Sequence, residues 1–291
     1  MFDSRIFPSL VLAAAFPFVH AQPSCPAPQT QHQPWRVDPA VLFLSSGLAV
    51  DADGAPNSYL ANGKGLSYTC DGALAIVDGK RVTPKTDPAH WNAICNRAWT
   101  DAQASGDYSH LAIFGFLSDK NGPMLQKEGD PLPGTAYITT TTLTISQAPA
   151  GTQRHWVDAT RIPYIVLTPA FTKANHVKPG DLAVVYRPKT SSIAYAVFAD
   201  SGPDLGEASV KLHQDLGSNP IVVQQGVSRA KRGLADSVLT LVFPGKNIPA
   251  QLDSDAWSAA IKQQGENALK AWGGASRLQA CAESASHAPQ K

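Results

Sequence analysis

The chain has 291 residues, with 24 basic and 23 acidic side chains and a formal charge of +1. That balance supplies neither the basic field of a nucleic-acid binder nor a surface for anionic membranes, and the one basic cluster, Arg229 to Arg232, reads as a solvated loop. No C-x-x-C, H-E-x-x-H, G-x-S-x-G, dinucleotide or P-loop pattern occurs, so neither metal nor cofactor is expected and serine hydrolysis is unsupported.

The N-terminus reads as a secretory signal peptide over residues 1–21. Met1–Arg5 precedes an apolar run from Ile6 to Val19, and Val19-His20-Ala21 supplies small residues at the cleavage site. The run is too short and too proline-broken to span a bilayer. This predicts a secreted or periplasmic protein, in which four cysteines form two disulfides. Of the three possible connectivities, the expected one is Cys70–Cys95 with Cys25–Cys281. Residues 22–36 are rich in Pro and Gln and predict an extended, flexible mature N-terminus with Cys25 as its tether. A single catalytic domain is expected over 37–285.

Asp51, Asp53, Gly54 and Asn57 open a polar loop with the spacing of a calcium site. Ala55 holds the third ligand position and no Glu stands at the twelfth, so the loop reads as a groove wall or an Asx turn. Ala73–Val77 and Lys80–Thr83 flank Asp78-Gly79, a strong hairpin signal. Asp87-Pro88 predicts a helix start with Trp91, Ile94, Cys95, Ala98 and Ala102 on its core face, ended by Gly106. Leu111–Leu117 and the Thr-rich Thr135–Ile145 follow as strands, then Ile162–Leu167.

Leu182–Tyr186 and Ile193–Ala199 are nearly continuous apolar runs around a turn, which predicts a buried hairpin. Asp200 follows the second run directly, Ser201-Gly202-Pro203 turns the chain, and Gly206 introduces Glu207. Ala208, Leu212 and Leu216 then share a helical face that Gly217 closes, which puts Glu207 on a first helical turn. Two carboxylates thus flank one tight turn, the pairing glycoside cleavage needs. Acids at such positions are also ordinary turn and cap residues. Leu239–Phe243 is a further strand, and Trp257, Ile261, Ala268 and Trp272 mark a C-terminal helix that Gly265 interrupts. Short strands, frequent turns and no βαβ rhythm predict a mainly β (α+β) fold. A compact closed or nearly closed β-barrel with a few peripheral helices fits best.

The run AYAVFADSGPDLGEAS, with GDLAVV before it, PYIVL at Pro163–Leu167 and VFPG at Val242–Gly245, resembles the fungal-type chitosanases of glycoside hydrolase family 75. DADGAPNSY at Asp51–Tyr59 and ALAIVDGKRVTP at Ala73–Pro84 extend the resemblance over roughly residues 45 to 245. It implies a β-barrel core and endo-acting, inverting cleavage of β-1,4 linkages in chitosan, with Asp200 as general base and Glu207 as general acid. Asp51, Asp53, Asn57, Tyr59 and Asp181 are the candidate substrate-binding residues, and Asp71 and Asp158 from the same motifs add to an acidic lining suited to a polycation, although several of these acids also read as turn or cap residues. Tyr164 and Tyr195 are available to stack on sugars, but their apolar strands read as core. A Glu on a first helical turn would be held charged by the helix dipole, which opposes a proton donor. The partner is therefore chitosan or a related amino-sugar polysaccharide acted on by a monomer. Deacetylated peptidoglycan as substrate, or a non-catalytic carbohydrate binder on the same fold, are the other readings.

Overall fold

The computed structural model describes residues 24–290, so the predicted signal peptide lies outside the described residues. In chain order come β1 (Trp35–Val37), β2 (Ala40–Ser45), β3 (Ala49–Asp51), β4 (Ala73–Val77), β5 (Lys80–Arg81), α1 (Trp91–Ser105) and β6 (Leu111–Ile113). A small hairpin of β7 (Ser118–Asp119) and β8 (Gly122–Pro123) precedes β9 (Tyr164–Leu167), α2 (Pro169–Asn175), β10 (Asp181–Arg187), β11 (Ser192–Ser201), β12 (Glu207–Ser209) and α3 (Val210–Asp215). The chain closes with β13 (Ile221–Gln224), β14 (Val227–Ala230), β15 (Val238–Asn247), α4 (Ser254–Trp272) and α5 (Gly274–Ser286).

Eight strands form one mixed sheet in the order β1-β2-β15-β10-β11-β9-β12-β3. Its central strands are apolar at nearly every position because both faces are covered. On β10, Leu182, Val184 and Tyr186 join the core that α4 and α5 complete with Trp257, Ile261, Trp272 and Leu278. Ala183 and Val185 point to the other core, with Phe171 of α2 and Leu212 of α3. The predicted hairpin is present, with Leu182 opposite Val197 and Tyr186 opposite Ile193. Mixed α and β structure with few helices is as expected. No ladder among the described residues joins β3 to β1, however, so no closed barrel is found, and the expected closed or nearly closed barrel is not confirmed.

Local outcomes depart from the sequence reading where packing overrides pattern. Thr135–Ile145 forms only isolated bridges, such as Phe116 to Thr139, because its backbone pairs in turn with several loops. Asp87 caps a turn rather than α1 itself, its Oδ1 accepting the His90 N–H at 3.0 Å, and Trp99 rather than Trp91 fills the core beneath α1. Gly265 does not break α4: a Cβ there would overlap the Tyr195 ring, so glycine permits the helix to lie against β11.

Both expected disulfides, Cys25–Cys281 and Cys70–Cys95, are present. The N-terminal segment is tied down rather than loose. Besides its disulfide, the Gln31 N–H donates to the Pro289 carbonyl at 3.1 Å, and the Trp272 indole N–H donates to the Val37 carbonyl at 2.9 Å.

Candidate active site

Asp200 lies within β11 rather than after it. The β11–β9 ladder shifts between Phe198 and Asp200, so that Asp200 stands in register with Val166. Glu207 stands in register with the same Val166 from the other side, on β12. Residues in register across a ladder project to one face, so the two acids flank Val166 across two strand spacings, roughly 10 Å between backbones on a flat sheet. β12 also runs beside β3, with Ser209 opposite Asp51, which brings Asp51 to that face. The carboxylate oxygens of Asp51, Asp53 and Asp200 approach within 4.8 Å of one another. Asp51 and Asp200 are three strands apart in the ladder, so the sheet must curl around this face.

Glu207 therefore does not sit on a helix. The helix begins one turn later, with the Ser209 Oγ accepting the Leu212 N–H at 3.1 Å as its cap. The same Oγ donates to the Ile162 carbonyl at 2.9 Å and accepts the Tyr164 N–H at 3.0 Å, which locks β12 onto β9. The expected objection to Glu207 as proton donor disappears with the helix dipole.

The environments of the two acids differ. Asp200 Oδ1 accepts the Thr142 N–H at 2.9 Å, the Thr142 hydroxyl at 3.0 Å and the Ser201 N–H at 2.8 Å. Burial and then the Asp51 charge push its pKa up to about 7, with those donors opposing. Among the described residues no hydrogen bond fixes the Glu207 carboxyl. Burial, then the charges of Asp51 and Asp200, push it up to about 8. Asp53 is raised well above the carboxylate range by burial and by Asp51, and Asp51 itself is raised by burial.

Two buried phenols hold this cluster. The Tyr164 hydroxyl reaches Asp51 Oδ2 at 3.0 Å and the Asp53 carbonyl at 2.9 Å, while the Asp53 N–H donates to Asp51 Oδ1 at 2.8 Å. Tyr59 stands beside Asp53, and burial and then the Asp53 charge raise the pKa of its phenol. Both rings are buried, Tyr164 in the main core, so neither is free to stack on a sugar. Gly54 presses this loop onto the Val157 carbonyl, where any Cβ would overlap it, and its φ of +80° suits glycine.

A cleft of about 1330 Å³ opens over the cluster, with Asp51, Asp53, Tyr59, Asp71 and Glu207 on its walls. Asp200 lies beside that wall, half-buried, next to exposed Thr142 and Ser201. Five of the seven predicted site residues thus converge. Asn57 is exposed and off the cleft wall. Asp181 is 1% exposed, and its Oδ2 accepts the N–H groups of Lys178 at 2.8 Å and Gly245 at 3.1 Å, which makes it a turn anchor. Thr142 and the Tyr164 hydroxyl were not legible as site groups, because a threonine run and an apolar strand carry no such signal.

The profile of the fungal chitosanases of glycosyl hydrolase group 75 matches residues 114–278, more than half of the chain. The chain belongs to this family. It is a glycoside hydrolase of the chitosanase type, with a chitosan-type polysaccharide as the substrate its family implies. The chitosanase match contains Asp200 and Glu207, whereas Asp51, Asp53, Tyr59 and Asp71 precede it. A search among curated proteins found no match.

Proposed function

We propose that this chain is an exported, endo-acting chitosanase that cleaves β-1,4 linkages between glucosamine units with inversion, as a monomer and without cofactor. Residues 37–285 act as its one catalytic unit. The observation that carries the mechanism is the register of Asp200 and Glu207 on either side of Val166. The spacing is of the order that leaves room for a water between base and sugar, about 6.5–9.5 Å between carboxyl groups in inverting enzymes.

Glu207, with the higher pKa of about 8, is the proton donor to the leaving glycosidic oxygen. Asp200, whose Oδ1 accepts three hydrogen bonds, is the better stabilised anion. Its Oδ2 takes the proton of the water that attacks the anomeric carbon from the opposite face. Charge develops on the sugar ring as the bond breaks, and the Asp51 carboxylate supplies a nearby negative field. The Asp51 carboxylate also suits the protonated amines of the polymer. Two disulfides support the exported assignment, and no helix among the described residues is long and apolar enough to cross a membrane.

The test is reducing-end release from soluble chitosan, by the wild-type protein and by folded Asp200→Asn and Glu207→Gln variants, followed by NMR of the first-formed anomer. Cleavage lost by at least about 100-fold in both variants, with an inverted product, supports the reading. Active variants overturn the residue roles, and a retained anomer overturns the water-mediated course. Release from deacetylated peptidoglycan but not chitosan would move the substrate.

A further inference from the structure

Phe114 is the one large apolar side chain, among the described residues, that is both exposed and on the wall of the catalytic cleft. Its exposure is 53%. A half-exposed phenylalanine forfeits burial, yet its backbone is held firmly. The N–H groups of Phe114 and Gly115 both donate to the Gly72 carbonyl, at 2.9 and 3.0 Å, and the Thr140 hydroxyl donates to the Phe114 carbonyl at 3.2 Å. The ring is thus presented from a fixed frame.

Asp71 precedes Gly72 and lies on the same wall. Its Oδ2 accepts the Tyr68 N–H at 2.8 Å, which orients the carboxylate. Tyr68 is itself clamped, with the Arg229 guanidinium 4.2 Å over its ring and its hydroxyl donating to Gln224 at 2.9 Å. Gly72 and Gly115 both abut Tyr59, since a Cβ on either would lie 2.8 Å from a Tyr59 ring or hydroxyl atom. Tyr59 in turn lines the cleft with Asp53, whose charge acts on its phenol. The backbone that carries Phe114 and Asp71 therefore packs on Tyr59, which shares the cleft wall with Asp53 and Glu207.

The two groups match the two ends of one chemistry. A pyranose ring presents an apolar face of C–H bonds whose positive edges suit the negative π-face of phenylalanine, and glucosamine adds an ammonium for a carboxylate. We infer that Phe114 and Asp71 form a glucosamine-binding subsite flanking the scissile bond, the ring stacking on a sugar face and the carboxylate pairing with its ammonium. The inference rests on the chitosanase reading for its ligand, but not on the roles of Asp200 and Glu207.

The test is calorimetric titration of a glucosamine hexamer into Glu207→Gln protein, which does not depend on turnover. Adding Phe114→Ala is expected to weaken binding about 10-fold, about 1.4 kcal/mol, while Phe114→Trp stays within about 2-fold because it keeps the face. Adding Asp71→Asn is expected to weaken the hexamer of glucosamine but not that of N-acetylglucosamine, which lacks the ammonium. Circular dichroism checks each fold. Unchanged affinity in the Phe114→Ala protein overturns the subsite, as does an Asp71→Asn loss that is equal for both sugars. No binding to the parent protein overturns it together with the substrate assignment. Wild type inert on chitosan, with the Phe114 and Asp71 effects present, sinks the catalytic reading and leaves the subsite standing.

Discussion

Asp51 is the foremost charge raising both Asp200 and Glu207, so replacing it with the isosteric asparagine should slide the whole pH profile toward acid. In the ladder Asp51 lies opposite Ser209, two residues along the neighbouring strand from Glu207. One strand spacing and two residue rises put the backbones about 8 Å apart. Coulomb's law at an effective dielectric of about 20 then gives about 2 kcal/mol of repulsion, equivalent to somewhat more than one pH unit. The oxygens of Asp51 and Asp200 come within 4.8 Å, so the base should respond at least as strongly. Asparagine keeps an oxygen for the Asp53 N–H, while its NH2 takes the place of the oxygen that accepts the Tyr164 hydroxyl, whose proton can turn to the Asp53 carbonyl. The assay is kcat/KM on a soluble glucosamine oligosaccharide at constant ionic strength, which reports the free enzyme's acid and base. Wild type should show limbs at about 7, where Asp200 gains its proton, and about 8, where Glu207 loses its own. In Asp51→Asn both limbs should move down by about one pH unit or more. Titration of the substrate amines is common to both proteins and cancels in the difference. A bell left in place by a folded variant, or one moved to alkaline pH, would refute the electrostatic account.

Three further outcomes are expected. The folded-state pKa of Glu207, about 8, exceeds the ordinary value of 4.5, so the stability it contributes is complete below the ordinary value and is lost as pH rises toward 8. Glu207→Gln should therefore raise Tm progressively more between about pH 5 and pH 8, and a pH-independent Tm difference would contradict this. A Cβ at Gly202 would lie 2.9 Å from Val166 Cγ1 and 3.2 Å from Glu207 Oε2, so Gly202→Ala should lower kcat by about 10-fold or more by displacing the donor. An unaltered kcat would show that the carboxyl has room to move. The Cys70–Cys95 bridge closes a loop with a sequence separation of 25, so the Cys70→Ser, Cys95→Ser double variant should lose up to about 3.5 kcal/mol in urea unfolding. A loss below about 1 kcal/mol would show that native packing around α1 makes the crosslink redundant.

The chain's own pattern determined those features that rest on local chemistry. Continuous apolar runs at Leu182–Tyr186 and Ile193–Ala199 specified strands buried on two faces, because no polar residue interrupts them and the turn between them is short. Asp200 and Glu207 were legible as a pair, since motif and turn lie within a few residues. Both disulfide pairings matched expectation.

Only the tertiary structure decided what those acids experience. Glu207 belongs to a strand rather than a helix because β9 and β3 accept its backbone on both sides, and no local signal encodes neighbours so distant in sequence. The Asp51–Asp53 loop and the Thr142 donors reach Asp200, and the Tyr164 hydroxyl reaches Asp51, across separations that no spacing rule records. Asp181, as acidic in sequence as Asp51, is sealed at 1% exposure under a turn, while Phe114, in a run expected to be a strand, is left open just past the end of β6. Residue type sets which groups can carry a proton or a sugar. Burial, neighbouring charge and solvent access, which arise only when remote segments pack, set which of them do.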